Sequence, residues 1–337
     1  MKDTINRPLR SLLVSWEALL VLLLLIGVVI GSVLSPFFLS SFNLENALPS
    51  NTMEIAIMAL PMTLIIIAGE IDLSVASLLG LASVVLGLLW QSGHPLWLAI
   101  GAALLVGLVA GCLNGLLVTR LALPSLVVTI GTLALYRGLA YVVLGDQAVS
   151  NFPTSFTNLG FGTIPGTELP WSGLIFAILV VIFVVVLHVS HLGRQLYAMG
   201  NNKEAARFSG INVSRVKLML FILSGVIAAL AGVIFTARFS SARPDNALGF
   251  ELYVVTVVLL GGVNIFGGRG SLLGVVLAIF IVAVLQDVFN LLNISGDIQS
   301  LAIGLLLVLS VLGPNLARRI QVVITHRRLA AGSSMQS

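Results

Sequence analysis

Charge is what this sequence has least of. Only 9% of its 337 residues are Asp, Glu, Lys or Arg, against about a quarter in an ordinary soluble domain. A water-soluble fold of this size cannot cover its surface with so few charges, so the solvent for most of that surface is lipid. Cysteine is almost absent: Cys112 stands alone in an apolar run, which excludes an intramolecular disulfide and a cysteine metal cluster. It reads as a packed, inert thiol. The three lysines, Lys2, Lys203 and Lys217, are none of them preceded by glycine, so the chain carries no Walker phosphate loop and does not hydrolyse ATP through one. His188 and His191 are too few for a metal site and sit at a helix end, where capping or snorkelling is the simpler reading. No polar stretch is long enough to build a second, soluble core.

What remains is apolar. Hydrophobic residues make up 58% of the chain, and the mean hydropathy is +1.11. A bilayer core asks for about 20 apolar residues of helix. Candidate spans fall near 12–34, 53–69, 73–90, 96–118, 124–144, 171–190, 218–236, 252–266, 271–292 and 298–317. The fold class is therefore an all-α integral membrane protein, a polytopic bundle of about ten transmembrane helices, some of them broken. Residues 1–11 form a cytoplasmic N-terminus, 12–317 the membrane domain, and 318–337 a basic cytoplasmic tail. The first apolar stretch is longer than a signal-peptide core and lacks a small-residue cleavage site, so it is kept as a helix.

The net charge of +4 reports orientation rather than nucleic-acid binding, because the cations cluster at helix ends. With the N-terminus inside, ten spans leave all but three of the seventeen Lys and Arg in the cytoplasm; Arg137 lies in a span, and Arg238 and Arg243 fall outside. Residues 145–170, rich in Gly, Pro, Asn, Ser and Thr, read as an external loop, and 191–217 as the most polar cytoplasmic one. An internal repeat is also suggested: Thr63 to Gly69 is echoed by Thr256 to Gly262, and Ser77-Leu-Leu-Gly80 by Ser271-Leu-Leu-Gly274.

Three segments carry polar chemistry. Gly69-Glu-Ile-Asp-Leu-Ser-Val75 places two carboxylates between runs barely long enough to cross. Such groups need protein or water to solvate them. Gly69 breaks the first helix; Asp72 and Ser74 then either cap the next one or belong, with Glu70, to a translocation pathway, since broken helices at membrane depth line cavities. Gly261-Gly-Val-Asn-Ile-Phe-Gly-Gly-Arg-Gly270 reads as a hinge, with Asn264 able to hydrogen-bond a polyhydroxylated solute. Between Gly193 and Asn212, a short amphipathic helix around Glu204 is either a solvated connector or a docking helix for a cytoplasmic partner. Asn114 and Asp287 contact substrate or other helices.

Together these segments resemble a known family. Gly200 to Gly210 is similar to the coupling loop of ABC importer permeases. The first two segments, and Thr129-Ile-Gly-Thr-Leu-Ala-Leu-Tyr-Arg-Gly138, resemble those of permeases in the ribose, rhamnose and autoinducer-2 importer family, over about Glu54 to Pro314. The chain departs from the commoner pattern at Glu70, where glycine is usual, and at Val75-Ala76 in place of Val-Gly. The resemblance implies a permease subunit of an ATP-driven importer for a monosaccharide or polyol-like solute, in a bacterial inner membrane with both termini cytoplasmic. It implies partners: a cytoplasmic ABC ATPase subunit that holds ATP and Mg, a second permease subunit (identical or different), a periplasmic sugar-binding protein, and membrane lipid. No cofactor is expected on this chain. Coupling falls to Gly200, Glu204, Ala205, Ala206 and Gly210, and the solute pathway to Glu70, Asp72, Ser74, Asn114 and Asn264. The competing class is a cation-coupled secondary transporter with Glu70 and Asp72 as ion carriers.

Overall fold

Long apolar runs in a lipid solvent must satisfy their own backbone groups, and helices do so within one segment. The computed structural model describes residues 16–44, 52–167 and 169–312. The proposed termini, 1–11 and 318–337, lie outside the described residues. In chain order the helices are α1 (Trp16–Leu34), α2 (Met53–Ile67), α3 (Val75–Gln91), α4 (Leu96–Arg120), α5 (Ser125–Leu144), α6 (Thr154–Phe161), α7 (Trp171–Val184), α8 (His191–Asn201), α9 (Lys203–Phe208), α10 (Val213–Phe239), α11 (Phe250–Leu260), α12 (Leu272–Leu291) and α13 (Gly296–Leu312). Six of the described helices, counting α7 with its π-helical end to Val189, are long and apolar enough to cross a membrane; α2, α3, α11 and α13 are shorter apolar helices. Over the described residues, each of the ten anticipated spans contains one of these helices.

Boundaries moved where helix and polarity part company. The span anticipated at 218–236 is a 27-residue helix starting at Val213, so the polar loop 191–217 ends at Asn212, whose side chain accepts from the Arg215 N–H and caps α10. The span at 252–266 is helical only from Phe250 to Leu260, because the glycines that follow take positive φ, among them Gly262, Gly267 and Gly268. At 11 residues α11 is about 16 Å long and α2, at 15, about 22 Å; neither alone spans a hydrocarbon core of about 30 Å.

The short helices survive because others wrap them. Every residue of α2 is buried, Glu54 and Thr63 included. By contrast α1 turns Leu22, Leu25, Val29 and Val33 outward, as a lipid-facing helix should. The most extensive helix contact is that of α4 with α10. Gly107, Gly111 and Gly115 recur every four residues on α4 and face α10; a Cβ on Gly107 would sit 2.4 Å from the Gly225 carbonyl oxygen, and one on Gly111 2.4 Å from that of Phe221. Small residues at this spacing let two backbones touch.

Helix directions alternate, and loops gather at two ends. The junction end holds 68–74, 121–124, 190–212 and 261–271: Ile71 N–H donates to Ser125 Oγ, and Gly268 N–H to the Ile67 carbonyl. At the loop end, Val149 bridges to Ala242 and Trp90 Nε1–H donates to the Asn151 carbonyl. The suggested repeat corresponds to two hairpins, α2–α3 and α11–α12, each a short helix, a glycine break at the junction end, and a longer helix. Their registers differ, since Ser271 caps α12 through the Gly274 N–H while Ser77 lies inside α3 and donates to the Ser74 carbonyl.

Candidate functional site

The break between α2 and α3 begins where Gly69, at φ 77°, turns the chain out of α2. Asp72 then folds back on the chain: its Oδ1 accepts from the Ser74 N–H at 3.0 Å and from Ser74 Oγ at 2.6 Å. Its Oδ2 accepts from Ser224 Oγ of α10 at 2.8 Å. Ser74 Oγ accepts from Asn114 Nδ2 of α4 at 2.8 Å, and the Tyr136 hydroxyl of α5 lies 3.1 Å from Asn114 Oδ1 and 2.9 Å from the Ala110 carbonyl. Thr129 Oγ1 donates to the Ser125 carbonyl. Asp72, Ser74, Asn114 and Ser224 are all buried. A carboxylate without a cation can persist in an apolar interior only if donors fill its lone pairs. Asp72 has three donors and, among the described residues, no ion-pair partner. Asp72 thus closes its own turn onto Ser74 and ties the break to α10, while Ser74, the residue before α3, makes no side-chain capping bond to that helix, contrary to the capping expectation for it.

Glu70 sits differently. It too is buried, yet its Oε1 lies 2.8 Å from Lys203 Nζ of α9 and 2.5 Å from Lys217 Nζ of α10. Burial alone would push its carboxyl up, but the hydrogen bonds from Lys203 and Lys217 outweigh that and hold it below its ordinary value. Beside it lies a cavity of about 270 Å³ lined by Lys203, Arg207, Lys217, Thr119 and Ser214.

The glycine-rich loop closes on the same point. A Cβ on Gly200 would stand 1.9 Å from the Ile67 carbonyl oxygen and 2.2 Å from Gly268 N; one on Gly267 would meet the Gly69 backbone at 2.9 Å and Gly200 at 3.1 Å. Tyr197 donates to the Gly270 carbonyl at 2.8 Å, Asn201 Nδ2 to that of Gly268 at 3.3 Å, and Lys203 Nζ reaches the Gly69 carbonyl at 3.4 Å. Three segments read separately in the sequence thus form one junction, backbone against backbone at Gly69, Gly200 and Gly267.

Other anticipated residues take distinct places. Ala206 is buried, whereas Glu204 pairs with Arg207 at 3.0 Å on the exposed side of α9. Ala205 N–H donates to the capping Asn202 side chain. Gly210, at φ 84° with open space around it, ends the segment, and Phe208 projects 90% exposed. Asn264 accepts from the Phe266 N–H and so shapes its own turn. Asp287 accepts from Asn43 Nδ2 at 2.6 Å, a contact between chain segments.

Several partners were not foreseen. Arg137, half-buried in α5, donates to the carbonyls of Pro244 and Asn246, anchoring the 240–249 loop. Arg238 forms a two-point pair with Glu54, Nε to Oε1 and Nη2 to Oε2 both at 2.9 Å, and its guanidinium lies 4.2 Å from the Phe239 ring centroid. The G-x-x-x-G spacing of 107, 111 and 115 was a readable signal for the α4–α10 contact; the distant ion pairs left none.

With this geometry in hand, comparison with known proteins is direct. The family described as the branched-chain amino acid transport system / permease component matches residues 46–311. The autoinducer 2 import system permease protein LsrD of Klebsiella pneumoniae is 37% identical over 326 residues, covering 95% of this chain and 97% of that protein. LsrD of Yersinia enterocolitica is 37% identical over 78% of this chain and 81% of its own length, and LsrD of Enterobacter sp. 35% identical over 90% and 94%. No solved structure matches.

Proposed function

The chain belongs to this family of transport-system permease components, and from that premise we propose that it is the membrane subunit of an ABC importer for a monosaccharide-like or polyol-like solute. Autoinducer 2, the solute in the names of its relatives, is the first candidate. The observation that carries the reading is the junction: the 191–212 segment is seated on both helix breaks through Gly200, Gly267 and Gly69, so a push on that segment reaches the membrane-buried polar cluster.

On this reading ATP and Mg bind a separate cytoplasmic ATPase subunit, a second permease completes the pore, and a periplasmic binding protein delivers the solute. The junction end faces the cytoplasm, since Arg194, Lys203, Arg207, Arg215, Lys217 and Arg269 lie there. Gly200, Ala206 and Gly210 fix the coupling segment, and Glu204 and Ala205 present its outer face to the ATPase. Asp72, Ser74 and Asn114 set the shape of the pathway wall, with Glu70 and Asn264 at its cytoplasmic edge. No covalent change to the solute is involved.

The test is uptake into proteoliposomes holding this chain, its ATPase and its binding protein. ATP-dependent entry of labelled autoinducer 2, competed by ribose-type sugars and not by leucine, is expected. Uptake by the chain alone, collapsed by an uncoupler and indifferent to the ATPase, would overturn the reading in favour of cation coupling.

A further inference from the structure

Glu70 is held by two lysines that belong to different parts of the molecule. Lys217 is the fifth residue of α10, and its side chain is 15% exposed; Lys203 opens α9, the segment proposed to meet the ATPase, and is 42% exposed. Seven residues beyond Lys217, on the same face of α10, Ser224 grips Asp72. The break is therefore fastened to α10 twice, at Glu70 and at Asp72. Only at Glu70 is it also fastened by a charge to α9.

The backbone contacts of Gly200 and Gly268 bear on Ile67, before the turn at Gly69, so they position the end of α2. Beyond that turn, the hydrogen bond described from the 191–212 segment is that of the Lys203 ammonium to Glu70. From these placements we infer that Glu70 is a positioning residue for transport: through Lys203 it hands displacement of the coupling segment to the α2–α3 break, and hence to the Asp72–Ser74–Asn114 cluster. The inference rests on the importer reading above and assigns Glu70 to coupling rather than to solute contact. A purely structural ion pair is the alternative. It predicts that losing Lys203 is harmless, because Lys217 still neutralises the carboxylate.

The experiment uses the complete importer in proteoliposomes and reads two quantities, solute transported per ATP hydrolysed and the yield of assembled complex. Glu70→Gln and Lys203→Gln are each expected to assemble normally, to hydrolyse ATP with weakened dependence on the loaded binding protein, and to move about fivefold less solute per ATP, the low end of usual coupling strengths. Lys203→Gln is the safer variant, since it keeps the buried Glu70–Lys217 pair, and it decides the matter if Glu70→Gln fails to assemble. Wild-type transport per ATP in Lys203→Gln overturns the inference, as does a lower yield with an unchanged ratio. If the wild-type assembly moves no solute with ATP, the importer reading itself falls.

Discussion

Replacing Gly111 by alanine tests the packing of the bundle along its most extensive helix contact. The new Cβ would lie 2.4 Å from the Phe221 carbonyl oxygen and 3.0 Å from the Ile222 Cα. Ordinary contact begins near 3.5 Å, and neither obstacle is the end of a flexible side chain, so α4 and α10 must part by about 1 Å. Parting them weakens dispersion along the pair, which in lipid is a main source of helix association. Overpacking of this kind costs about 1–3 kcal/mol. The substitution also gains about 0.5–1 kcal/mol from better helix propensity, leaving a net loss centred on about 1 kcal/mol. Gly131, on α5, has nothing within 4 Å of the position its Cβ would take, so Gly131→Ala shows the propensity gain alone.

Denaturant titration in mixed micelles, followed by tryptophan fluorescence, should therefore move the two variants in opposite directions. Adding Gly107→Ala to Gly111→Ala should cost less than the sum of the two, because one separation of the helices relieves both clashes. If Gly111→Ala and Gly131→Ala behave alike, the backbone approach described for α4 and α10 is wrong.

Three further expectations follow from the polar contacts. Arg238→Ala strips Glu54 of its two-point partner and should cost about 3–5 kcal/mol, as breaking a buried pair does, while Glu54→Gln with Arg238→Met should recover much of it; the same titration reads both. Asp72→Asn keeps an acceptor for the Ser74 N–H and replaces charged hydrogen bonds by neutral ones, a difference of about 1–2 kcal/mol. It should leave membrane abundance intact and reduce uptake, and full uptake at matched abundance would leave Asp72 as a structural tie. Glu70 has a folded pKa below its unfolded value of 4.5, so the stability it contributes is complete above about pH 4.5 and disappears as the pH falls through the folded value. Thermal stability of Glu70→Gln should accordingly converge on wild type at acid pH, and parallel profiles down to pH 3 would refute the linkage.

Much of this was legible without coordinates, for identifiable reasons. Hydropathy and the distribution of cations gave ten helices, because lipid leaves a chain few other solutions. Glycine in the middle of apolar runs marked both breaks, with two carboxylates beside it in the first. What the sequence hid was distance: Lys203 and Glu70 lie 133 positions apart, Arg238 and Glu54 184, and no periodicity links them. Helix limits slipped where a polar stretch is nonetheless helical, as at the start of α10, or where an apolar stretch is not, as after Leu260. Grouping Glu70 with Asp72 was natural from their spacing, yet the turn at Gly69 sends one toward two lysines and the other into a cluster of hydroxyls and amides.

One pattern in the sequence had a meaning that only the fold supplies. Lys217, Ser224 and Arg238 stand 7 and 14 residues apart on α10, and residues seven apart on a helix drift by only about 20°. They form a single stripe on a predominantly apolar helix. An isolated polar group on such a helix is costly in lipid, so a stripe of them demands one partner surface along its length. That surface is α2 with the break that follows it: Arg238 holds Glu54 at one end, Ser224 holds Asp72, and Lys217 holds Glu70. From 217 to 238 the stripe runs about 31 Å, roughly the thickness of the hydrocarbon core. α10 crosses that thickness unaided, and α2, too short to do so, is pinned to it from end to end. Glu70 and Asp72, read from the sequence as pathway residues, are in this arrangement also fastenings that tie a broken helix to a full-length one.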